Sequence, residues 1–346
     1  MDIAYIHFYV ENITQTSNWF QEKIGLTFLG KWVKDSTVTE LLGNNSVLFY
    51  ISAPLDSLSP TADYLKIHPP GIADIAFYVK DILAFLNQTK RLGVEIIQTY
   101  FSNEKVLHGL KIQAWGSLSH TIIQKAYPER LVNNFVKPQL MITGIDHLVL
   151  NVPSHQFDTA VSWYQNLFNW KIQQTFDIKS HRSSLYSVAL VDSQQKIQFN
   201  LNKPTSANSQ IQEFLEINNG AGIQHIALQS SNIFETVNQM RKRGLNFLSI
   251  PKAYYTQLLE RYQGIVPTLK KEEWQLLEKQ QILLDWTKDN PESMLMQIFS
   301  QPIFNQPTFF LEIIERRRQV QGFGEGNFQS LFEAIEKDQF VRRKRK

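Results

Sequence analysis

Three polar residues stand alone inside apolar, strand-like stretches: His147 in Ile145-Asp146-His147-Leu148-Val149-Leu150, His225 in Gly222-Ile223-Gln224-His225-Ile226-Ala227-Leu228, and Glu312 in Phe309-Phe310-Leu311-Glu312-Ile313-Ile314. Burying a carboxylate without a cation or strong donors costs several kcal/mol, on the order of the penalty for any desolvated charge. Glu312 therefore needs a partner, and two neutral imidazoles with a metal ion supply one. Two histidines and one carboxylate on one face leave three adjacent coordination positions open. That pattern suits Fe(II) and oxygen chemistry better than zinc. With no cysteine in the chain, zinc-thiolate sites, thiol catalysis and disulfides are excluded.

The elements that must carry these residues come from an internal repeat. Gly71-Ile72-Ala73-Asp74-Ile75-Ala76-Phe77 matches Gly222 to Leu228, and the match runs without a gap to Gly93 and Gly244. Ile82/Ile233, Asn87/Asn238 and Gln88/Gln239 are identical within it. Both copies read as an apolar strand, a helix and a glycine stop; Ile233, Val237 and Met240 recur at helical spacing before Gly244. An earlier pair sets Tyr5–Val10 and Trp19-Phe20 beside Ile145–Leu150 and Trp163-Tyr164, with Ala160, Trp163, Tyr164 and Leu167 on one helical face. A third sets Lys111–Trp115 beside Leu295–Phe299. On this alignment His7, Asp74 and Thr121 stand where His147, His225 and Glu312 stand, a set that breaks the ligand pattern. His7 then reads as a hydrogen-bonded core or pocket histidine.

The fold class expected is α+β, with two domains of paired βαβββ modules. Each domain is an open, curved, mostly antiparallel sheet around a cavity, with helices outside. Residues 1–136 form the N-terminal domain without a metal site, 137–142 a linker at Pro138, and 143–346 the C-terminal catalytic domain. The chain has 346 residues, a hydrophobic fraction of 43% and a net charge of +3, as a soluble two-domain protein would. Its apolar runs are strand length, so no membrane span is expected, and the N-terminus lacks a secretory pattern. A cytoplasmic location follows by default. Arg316-Arg317-Arg318 and the tail Arg342–Lys346 are basic, but no basic face interleaved with aromatics calls for nucleic acid, and the tail reads as a solvated end.

The second half, from about Gly144 to Phe340, resembles the 4-hydroxyphenylpyruvate dioxygenase family of the vicinal oxygen chelate (glyoxalase-like) superfamily. The likeness rests on Gly220–Leu228, on Phe309–Arg316 and on Gly322-Phe323-Gly324-Glu325-Gly326-Asn327-Phe328. The first half resembles that family's N-terminal domain only in its module pattern. The resemblance implies Fe(II) on His147, His225 and Glu312. It implies a substrate pocket of Ser187, Asn202, Gln210, Gln297, Phe299, Phe310, Phe323 and Phe328, with Gln297, Asn327 and Phe328 closest to catalysis. Gln297 and Phe299 alternate on one strand face, as do Phe310 and Glu312. Gly322–Phe328, with an amphipathic stretch from Leu331 to Ile335 onward, reads as a lid.

What the resemblance implies is conversion of 4-hydroxyphenylpyruvate and O2 to homogentisate and CO2, in tyrosine catabolism or prenylquinone biosynthesis, by a homo-oligomer. The sequence departs from the family pattern at Asn200, where proline is usual, and at Lys203, where glutamate is usual. Asn200 adds a polar group beside the expected ring position. A 4-hydroxymandelate synthase acting on the same substrate, a non-catalytic binding protein of the same fold, and an extradiol ring-cleaving enzyme are the alternatives. The last would want an acid–base His or Tyr beside the metal, and no residue is placed for that role.

Overall fold

The computed structural model describes residues 1–125, 140–179, 183–261, 267–287, 289–320, 322, 324, 326, 327 and 330. The first half runs β1 (Asp2–Tyr9), α1 (Ile13–Trp19), β2 (Thr27–Lys34), β3 (Thr37–Gly43), β4 (Leu48–Pro54), α2 (Pro60–Ile67), β5 (Gly71–Val79), α3 (Ile82–Arg91), β6 (Ile96–Phe101), β7 (Leu107–Gln113) and β8 (Ser119–Gln124). The second half repeats the plan: β9 (Ile142–Asn151), α4 (Phe157–Phe168), β10 (Lys171–Lys179), β11 (Ser184–Val191), β12 (Gln198–Pro204), α5 (Gln210–Ile217), β13 (Gly222–Ser230) and α6 (Ile233–Lys242). It then inserts α7 (Ala253–Arg261) and α8 (Lys271–Gln280) before β14 (Leu283–Thr287), β15 (Asn290–Phe299) and β16 (Phe310–Arg316). Each βαβββ module is present as read, whereas α7 and α8 have no counterpart in the first copy.

Each half is one curved sheet of 8 strands, ordered β2-β3-β4-β1-β5-β8-β7-β6 and β10-β11-β12-β9-β13-β16-β15-β14. Within each module the first and fourth strands, β1/β4, β5/β8, β9/β12 and β13/β16, pair in parallel; the other pairs, including the module joints β1/β5 and β9/β13, are antiparallel. The helices that follow β5 and β13 start alike. Asp81 accepts from the Ala84 N–H and Asn232 from the Glu235 N–H, satisfying donors that a helix start leaves orphaned. Gly93 and Gly244, with φ of +65° and +79°, end the same helices in the left-handed conformation.

The two halves share one continuous apolar core. The convex face of the first sheet, through Phe77, lies against Phe168 and Trp170 at 5.5 and 5.8 Å, and Phe8 meets Phe309 at 5.3 Å. His120 on β8 is sealed in this seam. Its Nδ1 faces the Ile75 carbonyl at 3.2 Å and its Nε2 the Tyr164 hydroxyl at 3.1 Å.

The concave faces are where the chemistry-bearing residues point, and a β-bulge decides which ones. Ile223 pairs with Leu150 and His225 with Val149, so Gln224 is the extra residue. Without the bulge His225 would share the convex side with Ile223, which is in the core; the bulge turns it inward. The same shift lies between Ile72 and Asp74 opposite β1. The registers also correct the repeat alignment. Tyr5 pairs with Ala76 as His147 pairs with Ala227, so Tyr5, not His7, is the counterpart of His147. Thr121 pairs with Ala76 as Glu312 pairs with Ala227, and Lys111 pairs with Thr121 as Phe299 pairs with Glu312. The sequence pairing of Gln113 with Gln297 is therefore displaced.

Of the expected linker, 137–139 lies outside the described residues, and its end is already strand in β9. Phe323, Phe328, the Leu331–Ile335 stretch and the basic tail also lie outside. Among the described residues no helix is long and apolar enough to cross a membrane.

Burial pushes the His120 imidazole down to about 3. A histidine neutral in the fold but protonated when unfolded binds more protons in the unfolded state below its ordinary pKa of about 6.5. Its contribution to stability is thus intact above that pH and is lost as pH falls from there toward 3. His120→Phe is expected to flatten the fall of the thermal unfolding midpoint with acid over that window; an unchanged slope would contradict the assignment.

Candidate metal centre

His147, His225 and Glu312 converge from β9, β13 and β16, with one donor atom from each lying within 4.8 Å of the others. All three are buried, at 3, 8 and 1% exposure, so whatever balances the carboxylate has to come from within the site. Glu312 Oε2 lies 3.1 Å from His147 Nε2 and 3.6 Å from His225 Nε2. Its other oxygen, Oε1, accepts from Gln297 Nε2 at 2.9 Å. The carboxylate is therefore divided: one oxygen is fixed by the protein and the other faces both imidazoles.

Each imidazole is held differently. His147 Nδ1 meets Asp146 Oδ1 at 2.9 Å. Asp146 in turn takes a two-pronged ion pair from Arg316, Nε to Oδ2 at 2.7 Å and NH2 to Oδ1 at 2.8 Å. Burial alone would raise the Asp146 carboxyl, but Arg316 and His147 hold it well below the usual carboxylate range. His225 stacks on Phe310 at 4.7 Å and 18°, with Phe299 edge-on at 6.4 Å. Its Nδ1 has no hydrogen-bond partner among the described residues.

A chain of hydrogen bonds continues outward. Gln297 Oε1 accepts from Asn327 Nδ2 at 2.9 Å, and Asn327 Oδ1 accepts from the Tyr254 hydroxyl at 2.7 Å. Gly324, at φ +74°, lies so close that a Cβ there would clash with Gln297 Oε1. Arg316 also donates to the Val320 and Gly322 carbonyls at 3.1 and 2.7 Å. The segment after β16 is thus tied to the site at both ends.

On the same concave face, register places Gln198, Asn200 and Asn202 beside His147, Val149 and Asn151. Ser187 stands opposite Asn202, and Asn202 Nδ2 donates to Asn151 Oδ1 at 3.3 Å. Gln198 Oε1, Asn200 Oδ1, Asn151 Nδ2 and, at the start of α5, Gln210 Oε1 are buried without a partner among the described residues. Each such atom costs roughly 1–3 kcal/mol, which a bound polar ligand would recover.

Among known proteins, the Glyoxalase/Bleomycin resistance protein/Dioxygenase superfamily matches residues 144–263. A 4-hydroxyphenylpyruvate dioxygenase from Dictyostelium discoideum is 32% identical over 98% of each chain. The chain belongs to the 4-hydroxyphenylpyruvate dioxygenase family. An uncharacterised protein of Synechocystis sp., slr0090, is 40% identical over 97% of each chain. A mutant of 4-hydroxymandelate synthase from Streptomyces coelicolor has the same fold, with a TM-score of 0.84 and 23% identity over 98% of each chain.

Within this family fold, the three expected ligands, Gln297, Phe299, Phe310 and Asn327 form one cluster. Ser187 and Asn202 face each other across β11 and β12, and Gln210 stands at the start of α5. Gln297, expected to touch substrate, has its amide engaged by Glu312 and Asn327. The sequence reading missed Asp146, Arg316, Tyr254, Asn151 and Gln198. Asp146 next to a ligand histidine was a usable signal. Arg316 was hidden by its neighbours: it looks like the first of three surface arginines, yet its side chain is 9% exposed and paired.

The donor set fits a divalent ion. Burial disfavours charge on His225 and the nearby His147 charge adds to this, so its ring is held neutral, as ligation requires. For His147, burial works against protonation, yet Glu312 and Asp146 raise it to about 9, so the site attracts a positive charge. Asp146 orients His147 in the way a carboxylate behind a ligating histidine does. Asp146→Asn, which keeps the shape but leaves Arg316 unpaired, is expected to lower Fe(II) affinity about 10- to 100-fold. Competition against a chelator measures this; wild-type affinity would remove Asp146 from that role.

Proposed function

We propose that the protein is an Fe(II)-dependent 4-hydroxyphenylpyruvate dioxygenase, turning 4-hydroxyphenylpyruvate and O2 into homogentisate and CO2. The observation that carries this reading is the divided Glu312 carboxylate facing two imidazoles beneath aromatic walls, in a chain of this family. His147, His225 and Glu312 would hold the iron. When bound, Fe(II) supplies Lewis acidity toward an α-keto acid and electrons toward O2.

The rest is placement by the protein. Phe299 and Phe310 exclude water and present flat faces to a phenol ring. The unpartnered amides of Gln198, Asn200 and Gln210, with Ser187 and Asn202, offer hydrogen bonds to the polar ends of the substrate. Gln297 keeps Glu312 Oε1 occupied, so that Oε2 alone faces the imidazoles. A displacement of about 1 Å at such a site can cost on the order of 100-fold in rate. No side chain is required as general base.

Asn200 favours a second reading. Its side chain puts an unpaired carbonyl oxygen on the pocket face where the family resemblance leads one to expect proline. A ring turned by that group would be oxidised at the benzylic carbon, giving 4-hydroxymandelate. Chromatography of the product from 4-hydroxyphenylpyruvate decides: homogentisate is expected, and 4-hydroxymandelate without it would transfer the protein to the second reading. Glu312→Ala is expected to lose iron retention and turnover while keeping its circular dichroism spectrum. Full activity in that variant would refute the ligand assignment, whatever the product.

A further inference from the structure

The concave face of the N-terminal sheet holds a second polar constellation at the register positions of the metal centre. Tyr5, Asp74 and Thr121 replace His147, His225 and Glu312; Thr39 and Ser52 replace Ser187 and Asn202; and Lys111 replaces Phe299. Asp74, 1% exposed, accepts from Ser119 Oγ and Thr121 Oγ1, both at 2.8 Å, and lies within electrostatic reach of the Tyr5 hydroxyl. Ser52 Oγ joins His7 Nε2 at 2.7 Å and Thr39 Oγ1 at 2.6 Å. The Asp74 carboxylate is therefore held by hydroxyl donors rather than by imidazoles.

Lys111 is the group left over. Its ammonium lies within electrostatic reach of Asp74, Tyr9, Tyr100 and His7. Among the described residues it makes no hydrogen bond or ion pair. Burial works against its charge, but Asp74 and the two phenols outweigh burial and keep it protonated. Tyr9 and His7 beside it belong to a cluster of rings set edge to face: His7–Tyr9 at 5.0 Å, His7–Tyr50 at 5.6 Å and Tyr5–Tyr50 at 4.3 Å. Burial and the Lys111 charge push His7 down to about 3, so it stands there as a neutral ring. The hydroxyls of Tyr9 and Tyr50 have no hydrogen-bond partner among the described residues. Alternate residues of β1, Tyr5, His7 and Tyr9, keep partial solvent contact, whereas the last six residues of β9 are all buried. The first concavity is the more open of the two.

We propose that this face is a second, metal-free binding site for a small aromatic carboxylate, with Lys111 taking the carboxylate and the Tyr5, Tyr9 and Tyr50 rings enclosing the planar body. An unpaired, half-buried ammonium favours an anion, and the ring wall selects a flat one. Aromatic faces and edges contribute about 0.5–1.5 kcal/mol per pair beyond area burial.

Titration calorimetry with 4-hydroxyphenylacetate on the full chain tests this by heat rather than by turnover, and so independently of the reaction assigned above. Lys111→Met is expected to remove one binding equivalent, or to weaken it at least tenfold, with kcat and KM unchanged. Lys111→Arg, which keeps the charge, is expected to retain that equivalent. Tyr50→Leu removes a ring without touching the charge and is expected to weaken the same equivalent. An isotherm unaltered by Lys111→Met would overturn the site and leave Lys111 as a counter-charge for Asp74 alone. Should that variant fail to fold, an isotherm unaltered by Tyr50→Leu would do the same.

Discussion

A carboxylate at 1% exposure in the middle of an apolar strand is the constraint around which the second half is organised. Glu312 cannot be left unpaired there, and the protein does not neutralise it with a lysine or arginine. It gives one oxygen to the Gln297 amide and turns the other toward two imidazoles. That division requires β16 to stand beside both β13 and β15, and β13 beside β9. It also requires the bulge at Gln224, without which His225 would face the core. Sheet order, register and bulge all serve one carboxylate.

The first half answers the same geometric problem by another route. Asp74 is as deeply buried as Glu312, on the neighbouring strand of the same topology, but the Ser119 and Thr121 hydroxyls donate to it. Hydrogen bonds to the charged form stabilise it, so no cation is needed in direct contact. The comparison shows that burial of an acid does not by itself make a metal site. Imidazoles converging on that acid add the donors that could hold one, and the second half has them where the first has Tyr5 and Asp74.

Much of this was readable from the chain. The repeat of Gly71–Gly93 in Gly222–Gly244 predicts both a strand and the helix after it, and the capped starts and left-handed glycines agree. His147, His225 and Glu312 stood out because single polar residues in apolar strands are conspicuous. The failures have physical causes. A shift of two residues on β1 keeps a strand's facing pattern, so Tyr5 and His7 cannot be told apart by alternation; only pairing with Ala76 distinguishes them. Arg316 was masked by its neighbours, since charge runs do not reveal which member turns inward. The buried Asn151 Nδ2 and Gln198 Oε1, without a partner among the described residues, carry no sequence signal, because their role depends on what lies across the sheet.

The insertion of α7 and α8 has the same logic as the site. Tyr254 on α7 accepts from the Leu284 N–H at 2.9 Å and donates toward Asn327 Oδ1, and Asn327 holds Gln297, which holds Glu312. Asp285 on β14 takes the Gly326 N–H at 2.9 Å, fixing the turn from the other side. Arg316 grips Val320 and Gly322 while it orients Asp146 and thereby His147. Val320 and Gly322 on one side and Asn327 on the other are thus joined to two of the three donors by separate hydrogen-bond chains, through Arg316 and Asp146 and through Gln297. The half that lacks the donors also lacks the inserted helices. The extra helices support Asn327 through Tyr254, since the sheet itself folds without them in the first copy.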